Sequence, residues 1–439
     1  MTRTRTIAAA AFFALTTASV RADVPKGIET FDAAWTIVRD THFDKSFNGV
    51  DWDSVRTELR PMAEAAKTVG ELRRVITTML ARLGQSHFAL LPGSTDGDAS
   101  STPGTPASLG SADPGFDLRL VGSDIVVTAI DSKRGADVAG VKPGWRLVGI
   151  AGATVKDVLK GIPETSNERL RGLQAWRLMQ SRLRGSDGSA VDLTFEDAAG
   201  KPVQLSVVRQ KEAGESVTVG SLPTMMVRVT DAEKKTPRGK KVGLIGFNVW
   251  MTAVDGPFQR AVDRYRSADG IVLDLRGNPG GLAAMMMGIS GHFVAERRPL
   301  GIMKTRTTEL KFVANPRAVD ATGKPVHVYD GPVAILVDAM SGSASECFTG
   351  GMQSIGRARV FGQTTMGQAL PALFDKLPNG DVLIHAYGDF VTADGTRLEG
   401  RGVIPDEQLP LTREDLLAGH DRTLQAALAW IDRTASKSH

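Results

Sequence analysis

The spacing of hydrophobic residues changes along the chain from a helical period to a strand period, and then to an alternation of the two. Residues 23–92 contain three stretches in which hydrophobic residues recur at helical spacing, around Phe31, Trp52 and Leu72. The next stretch, residues 93–112, is rich in Gly, Ser, Thr and Pro. We therefore predict an N-terminal helical cap over residues 23–92, followed by a linker.

Residues 113–211 alternate hydrophobic and polar side chains, as half-buried β-strands do. Residues 115–131 are predicted to form a strand pair and residues 190–210 a closing hairpin. A helical stretch from Glu168 to Arg184 interrupts the alternation. We expect a small β domain with an inserted helix.

Residues 220–439 alternate strand-like and helix-like segments, and strand-like segments such as residues 331–340 are mainly apolar. Such strands are typical of a mainly parallel sheet that helices cover on both faces. The predicted fold class is therefore α/β. Ligands of such sheets bind at the carboxyl ends of the strands, where "DLRGNPGG" (residues 274–281) and "MSGSASE" (residues 340–346) fall.

Residues 1–22 have a pattern of their own, because Arg3 and Arg5 precede an apolar run of 14 residues from Ile7 to Val20. This layout predicts a secretory signal peptide, and the run is too short to span a bilayer as a helix. We expect an exported protein, periplasmic or secreted, with no stable membrane span.

The overall composition is that of a globular protein, with 42% hydrophobic and 23% charged residues. The net charge is +4, and three of the arginines lie in the predicted signal peptide, so we expect no nucleic-acid partner. Cys347 is the only cysteine, which rules out an intramolecular disulfide. No Cys/His cluster suggests zinc, so no metal site is expected.

The serines of "SGSAS" lie where a predicted strand gives way to a predicted helix. The free N–H groups at a helix N-terminus can stabilise an oxyanion that develops on a substrate of a nearby serine. Position alone leaves two interpretations open. One of these serines is a nucleophile, or Ser343 or Ser345 is an ordinary helix N-cap.

Several motifs together resemble the tail-specific (C-terminal processing) serine proteases, including their tricorn-core-like branch. They are "LGQSHFALL", "GADVAGVKPGWRLVGIAG", "DLRGNPGG", "SGSASE" and "LEGRGVIPDEQL", and they cover nearly all of the chain after residue 22. The resemblance implies a crotonase-like ββα core, an inserted PDZ-like domain over residues 113–211 and no cofactor. It makes Ser343 the nucleophile of an endopeptidase.

The family contains two mechanisms, and this sequence matches one of them. The better-known branch uses a lysine as general base, but the corresponding position here is Gln368, which cannot accept the proton. The tricorn-like branch uses a histidine and a glutamate, and the matching residues are His87 and Glu399. The resemblance thus implies that His87 takes the proton of Ser343 and that Glu399 orients His87.

Two further groups of residues follow from the resemblance. The backbone N–H groups of Gly280 or Gly281 and of Ala344 would form the oxyanion hole, and glycine lets the backbone approach the substrate closely. The loop Gly115, Phe116, Asp117 and Leu118 would bind a peptide carboxylate, so that protein substrates are recruited through their C-termini.

Other interpretations remain open at this level. His87 could be a capping or core histidine, Glu399 a solvated surface carboxylate, and His385 a rival base within a strand-like run. Cys347 fits a small buried hydrophobic residue better than a nucleophile. The chain as a whole could be an inactive PDZ protein that binds peptides, or a hydrolase of a non-peptide ester.

Overall fold

The computed structural model of the protein describes residues 27–93, 112–162, 165, 167–220 and 224–434. The predicted signal peptide and residues 94–111 of the predicted linker lie outside the described residues.

The secondary structure follows the predicted order of helical, strand-rich and alternating regions. The α-helices are α1 (Gly27–Thr41), α2 (Trp52–Ala65), α3 (Val69–Ala81), α4 (Gly135–Val138), α5 (Val155–Leu159), α6 (Glu168–Leu183), α7 (Asp255–Arg264), α8 (Met285–Gly291), α9 (Ala344–Ser354), α10 (Arg413–Leu417) and α11 (Arg422–Thr434). The strands up to residue 235 are β1 (Ala89–Leu91), β2 (Ala112–Asp113), β3 (Phe116–Val121), β4 (Asp124–Ile130), β5 (Arg146–Ile150), β6 (Ala153–Thr154), β7 (Ala190–Glu196), β8 (Pro202–Val208), β9 (Gln210–Lys211), β10 (Glu215–Val217), β11 (Met225–Val227) and β12 (Val229–Lys235). The later strands are β13 (Lys241–Phe247), β14 (Gly270–Asp274), β15 (Arg298–Thr305), β16 (Glu309–Ala314), β17 (Val333–Val337), β18 (Arg359–Gly362), β19 (Ala372–Lys376), β20 (Val382–Ala386), β21 (Gly388–Thr392) and β22 (Glu407–Gln408).

A six-stranded sheet in the order β12-β13-β14-β17-β18-β22 forms the largest core. All its pairs are parallel except β12 with β13. Every residue of β17 is buried, because Ile335 and its alternate neighbours pack under α7, α8 and α9 while Leu336 packs under α11 on the other face. The predicted α/β class is confirmed, whereas the antiparallel edge strand β12 was not predicted.

A second sheet, in the order β3-β4-β5-β7-β8, is antiparallel throughout and has a hydrophobic core of its own. The strand pair and the closing hairpin expected from the alternation are β3–β4 and β7–β8. Helix α6 packs on this sheet through Ala175, Met179 and Leu183. Its other side faces the six-stranded sheet.

Helices α1, α2 and α3 share one hydrophobic core, but this core also contains Leu377 and Leu383 from the later part of the chain. Strand β1, just after α3, pairs with β20 in a three-stranded sheet with β19. The helical region is therefore completed by residues of the region predicted as catalytic. Since His87 lies just before β1, this pairing fixes it beside that region. Within the described residues, no helix is long and apolar enough to cross a bilayer.

Candidate active site

The three serines after β17 differ in what their hydroxyl groups do. Ser341 donates its hydroxyl to the carbonyl of Leu275 at 2.7 Å, and Ser345 donates to that of Asn278 at 3.0 Å. Both side chains are fully buried. Ser343 alone within residues 341–347 keeps some solvent exposure. Of the three serines, Ser343 is therefore the one that a substrate could reach.

Ser343 stands at the N-cap position of α9 and forms a capping box with Glu346. The N–H of Glu346 donates to the Ser343 carbonyl, at 2.9 Å, and the Ser343 N–H donates to a carboxylate oxygen of Glu346 at 3.1 Å. The Ser343 backbone has φ 52° and ψ −118°, an uncommon conformation for a residue with a side chain. Ser343 thus lies in a strained turn at the start of α9, and it remains partly exposed to solvent.

Glu346 holds this turn in place. Its buried carboxylate accepts hydrogen bonds from the Ser343 and Gln368 N–H groups, at 3.1 and 2.9 Å, and from Gly367 N–H and the Thr365 hydroxyl, at 2.7 and 2.5 Å. Burial raises the pKa of Glu346 to about 7, although these four donors favour the ionised form. A titratable group with a pKa near neutrality thus lies directly against the candidate nucleophile.

His87 is connected to Glu399 through Ser86. The Ser86 hydroxyl lies 2.8 Å from His87 Nδ1 and 2.9 Å from Glu399 Oε2, while the Ser86 N–H donates to Glu399 Oε1 at 2.9 Å. If the hydroxyl donates to the carboxylate, Nδ1–H donates to Ser86 and Nε2 is left as the proton acceptor. We expected Glu399 to orient His87 directly, and Ser86 was missed although it precedes His87 in the quoted motif.

The Ser343 turn and the Glu399–Ser86–His87 chain meet at two consecutive residues. The carbonyl of Gln368 accepts the Ser343 N–H at 2.9 Å, and the next N–H, of Ala369, donates to Glu399 Oε2 at 2.9 Å. Within the described part of the chain, no hydrogen bond joins the Ser343 hydroxyl to the His87 ring. The structure therefore links the two groups through the backbone of residues 368 and 369.

The His87 ring is in its neutral form at neutral pH. Burial lowers the pKa of His87 to about 4, and the positive charge of Arg177 on α6 contributes to the lowering. Arg177 is distant from His87 in the chain, so this lowering is not evident from the local sequence. The backbone at His87 also has a positive φ of 59°.

Two of the three predicted oxyanion donors are available. Among the described residues, the N–H groups of Gly281 and Ala344 make no hydrogen bond, but the N–H of Gly280 donates to Asn278 Oδ1 at 3.0 Å. Gly280 has φ 106°, and a β-carbon there would lie 2.5 Å from Cβ of Ser343. Gly280 thus serves close approach to the turn, and its N–H is already engaged by a buried side chain.

In the loop predicted to bind a peptide carboxylate, two backbone N–H groups already donate to carboxylates of the protein itself. The Gly115 N–H donates to Asp113 Oδ1 at 2.7 Å, and the Leu118 N–H donates to Asp117 Oδ1 at 2.8 Å. The Phe116 side chain is buried in the core of the sheet. A peptide carboxylate would have to displace these internal acceptors.

The other two candidate residues, His385 and Cys347, are both buried. His385 is fully buried, with Nδ1 2.9 Å from the Thr41 hydroxyl and Nε2 2.7 Å from an oxygen of Asp375, so it is not available as a base for Ser343. Burial raises the pKa of the Cys347 thiol well above its usual value. The described residues contain no group of three His, Cys, Asp or Glu side chains that could hold a metal ion.

Comparison with known proteins supports the serine-protease resemblance that the sequence motifs indicate. The family model described as "Peptidase family S41" matches residues 241–409, and that of the "Tricorn protease C1 domain" matches residues 29–81. Ser343 and Glu399 lie within the first region, and His87 lies outside both.

Two curated relatives and one solved structure illustrate the match. The chain is 26% identical over 390 residues to carboxyl-terminal-processing peptidase 2, chloroplastic, of Arabidopsis thaliana, covering 87% of this chain and 68% of that protein. It is 25% identical over 387 residues to the carboxyl-terminal-processing protease of Picosynechococcus sp., covering 86% and 82%. The solved structure of a photosystem II D1 C-terminal processing protease shares the fold, with a TM-score of 0.57, 23% identity and coverage of 92% and 99%. Residues 241–409 thus match peptidase family S41, and with these relatives the chain is a serine-type peptidase.

The pKa of His87 can be measured directly. In the Ser343→Ala protein, which avoids self-cleavage, we expect the His87 ring signal in NMR to titrate with a midpoint near pH 4, because burial and Arg177 disfavour the imidazolium. The signal that is lost in the additional His87→Gln variant gives the assignment. A midpoint at or above pH 6 would contradict the described environment.

Proposed function

We propose that the chain is an exported endopeptidase that cleaves peptide bonds through an acyl-enzyme on Ser343, with His87 as base and Glu399 as the group that orients it. The observation that carries the proposal is the chain of hydrogen bonds from Glu399 through Ser86 to His87, which meets the Ser343 turn at Gln368 and Ala369. We also infer that the six-stranded sheet with its helices is the crotonase-like ββα core of the family.

In the proposed reaction, the Ser343 oxygen attacks the substrate carbonyl and its proton passes to Nε2 of His87. The N–H groups of Gly281 and Ala344 stabilise the developing oxyanion. The imidazolium is stabilised by Glu399, since Ser86 relays a hydrogen bond between them. His87 then gives its proton to the leaving amine, and water hydrolyses the acyl-enzyme by the same path in reverse.

Five substitutions test these roles. Ser343→Ala and His87→Ala should each lower kcat/KM by roughly 10⁴-fold or more, because nucleophile and base act as a unit. Glu399→Gln and Ser86→Ala should cost less, roughly 10- to 1,000-fold, since they affect orientation and charge stabilisation only. Gln368→Ala should remain within about 10-fold, because Gln368 bonds Ser343 and Glu346 through its backbone. Casein hydrolysis is the measurement.

The same variants separate the proposal from its alternatives. A fluorophosphonate probe should label Ser343 in the wild-type protein, and the label should be absent from Ser343→Ala. Lack of labelling, together with retained peptide binding, would instead support an inactive peptide-binding protein. Full activity in His87→Ala would defeat the proposed base. An ester hydrolase would label but leave casein intact.

We also propose that the β3–β8 sheet with α4 and α6 is a PDZ-like domain that recruits substrates by their C-termini. The sequence of the Gly115–Leu118 loop supports this role, and the engaged N–H groups of Gly115 and Leu118 imply that a peptide must displace Asp113 and Asp117. Binding should therefore be weak in the unmodified loop.

Fluorescence anisotropy on the Ser343→Ala protein tests this role. Peptides with a free apolar C-terminus should bind at least roughly 10-fold more tightly than their amidated forms, because a carboxylate accepts charge-assisted hydrogen bonds. Asp117→Asn should strengthen binding of the free acid, since it removes a competing negative charge. Equal binding of both peptide forms would remove carboxylate capture from the proposal.

Export is the remaining part of the proposal. It is supported by the two arginines and the short apolar run within residues 1–22. N-terminal sequencing of the protein recovered outside the cytoplasm should start at Asp23 or within a few residues of it. An exported chain that still begins at Met1 would contradict cleavage.

A further inference from the structure

Helix α6 is attached to the segment that carries Glu399. Near the start of the helix, Arg169 donates from Nη1 to the carbonyls of Thr365 and Arg401, at 2.6 and 2.9 Å, and from Nη2 to that of Gly400 at 2.9 Å. Gly400 and Arg401 follow Glu399 directly in the chain. One face of α6 is thereby fixed against the candidate catalytic residues.

The same face continues along the helix in the direction of its C-terminus. Leu173, four residues after Arg169, packs with Met340 and Met366, which lie beside the Ser343 turn and the Gln368 segment. Arg177 follows after four more residues. Since positions four apart share a helix face, Arg177 is presented on the side that meets the catalytic region.

Arg177 is a cation without a described partner. Its side chain is exposed to solvent, and it makes no hydrogen bond or ion pair with any residue that the structure describes. Surrounding protein nevertheless lowers the pKa of Arg177 by desolvation, and its charge reaches the His87 ring. Arg177 is therefore in contact both with solvent and with the packed protein around His87. Arg171, on the opposite face of α6, is also exposed.

We propose that Arg177 is a specificity residue that binds a carboxylate of the peptide substrate on the leaving-group side of the scissile bond. The proposal rests on the proposed serine-peptidase function. His87 delivers its proton to the leaving amine, so a group beside His87 faces that half of the substrate. A guanidinium binds a carboxylate in a planar, charge-assisted pair. The carboxylate comes from an Asp or Glu side chain, or from the C-terminus of a short leaving segment.

The charge of Arg177 also has a consequence for catalysis. In the free enzyme it disfavours the imidazolium that must form at His87, whereas Glu399, acting through Ser86, favours it. A substrate carboxylate paired with Arg177 offsets its charge. Substrates with the carboxylate should therefore gain in kcat as well as in KM, which ordinary uniform binding would not produce.

The experiment uses a quenched fluorescent peptide based on a site that the full-length enzyme cuts in casein, mapped by mass spectrometry. Three versions carry Asp, Asn or Lys at the second leaving-group position, and a further pair has a short leaving segment ending in a free acid or an amide. Each is measured with the wild type, Arg177→Met, Arg177→Lys and the matched control Arg171→Met, after thermal unfolding has shown that the variants are folded.

We expect the wild type to prefer the Asp peptide over the Asn peptide, or the free acid over the amide, by roughly 10-fold or more in kcat/KM. Arg177→Met should lose this preference while cleaving the Asn and amide peptides at least as fast as the wild type. Arg177→Lys should retain part of the preference, and Arg171→Met all of it. A preference for the Asp peptide identifies a side chain as the source of the carboxylate, whereas a preference for the free acid identifies the C-terminus of the leaving segment.

Two results overturn the inference, and they are distinguishable. If Arg177→Met keeps the wild-type preference, or if the wild type has none while cleaving all peptides, Arg177 is not the specificity residue and the peptidase function stands. If the wild type cleaves no peptide and its Ser343 does not react with fluorophosphonate, the proposed function fails, and the inference about Arg177 fails with it.

Discussion

One buried carboxylate, that of Glu346, determines the geometry of the candidate site. It lies in the first turn of α9 and accepts hydrogen bonds from four donors, which belong to the Ser343 turn and to residues 365–368. A buried carboxylate with unsatisfied oxygens would be costly, so these donors must converge on it. The two segments are thereby held at the separation at which the Gln368 carbonyl accepts the Ser343 N–H.

A second, partly buried carboxylate, that of Asp338, connects the turn to the other sheet. It accepts the N–H groups of Gly277 and Met340 at 2.8 and 3.0 Å, and Arg119 of β3 donates to it at 3.0 Å. Although burial alone would raise it, the pKa of Asp338 is held below its usual value, with Arg119 as the largest lowering influence. Arg119 also pairs with Asp117 in the predicted peptide loop. A rearrangement of that loop would therefore change the contacts of Arg119 with Asp338, beside the Ser343 turn.

The parts of the structure that were predictable are those encoded locally. The hydrophobic period located α1, α2 and α3, and the apolar run before the serines located β17. The family motifs pointed to Ser343, His87 and Glu399. What could not be predicted depends on residues far apart in the chain. The role of Ser86 requires Glu399, which is 313 residues away, and the pairing of β1 with β20 requires strands from opposite ends of the chain.

The charge state of His87 shows the same limit of local patterns. A nearby carboxylate favours a protonated imidazole, yet burial and the charge of Arg177 lower the pKa of His87. Both influences depend on how separate segments pack, which a local pattern of residue types does not contain. The Gly280 N–H differs, because the side chain that accepts it belongs to Asn278, only two residues away.

The Ser343 hydroxyl and the His87 ring can form a hydrogen bond only through movement of parts that the structure does not hold in place. The Ser343 backbone is fixed by its N–H bonds to Gln368 and Glu346, and a β-carbon at Gly280 would already clash with it. Ser86 is fixed through two bonds to Glu399. The freedom that remains lies in the rotamers of the Ser343 side chain and of the imidazole. Because a change of rotamer costs little compared with a backbone rearrangement, a substrate that binds at Ser343 can favour the reactive rotamers without rebuilding the fold.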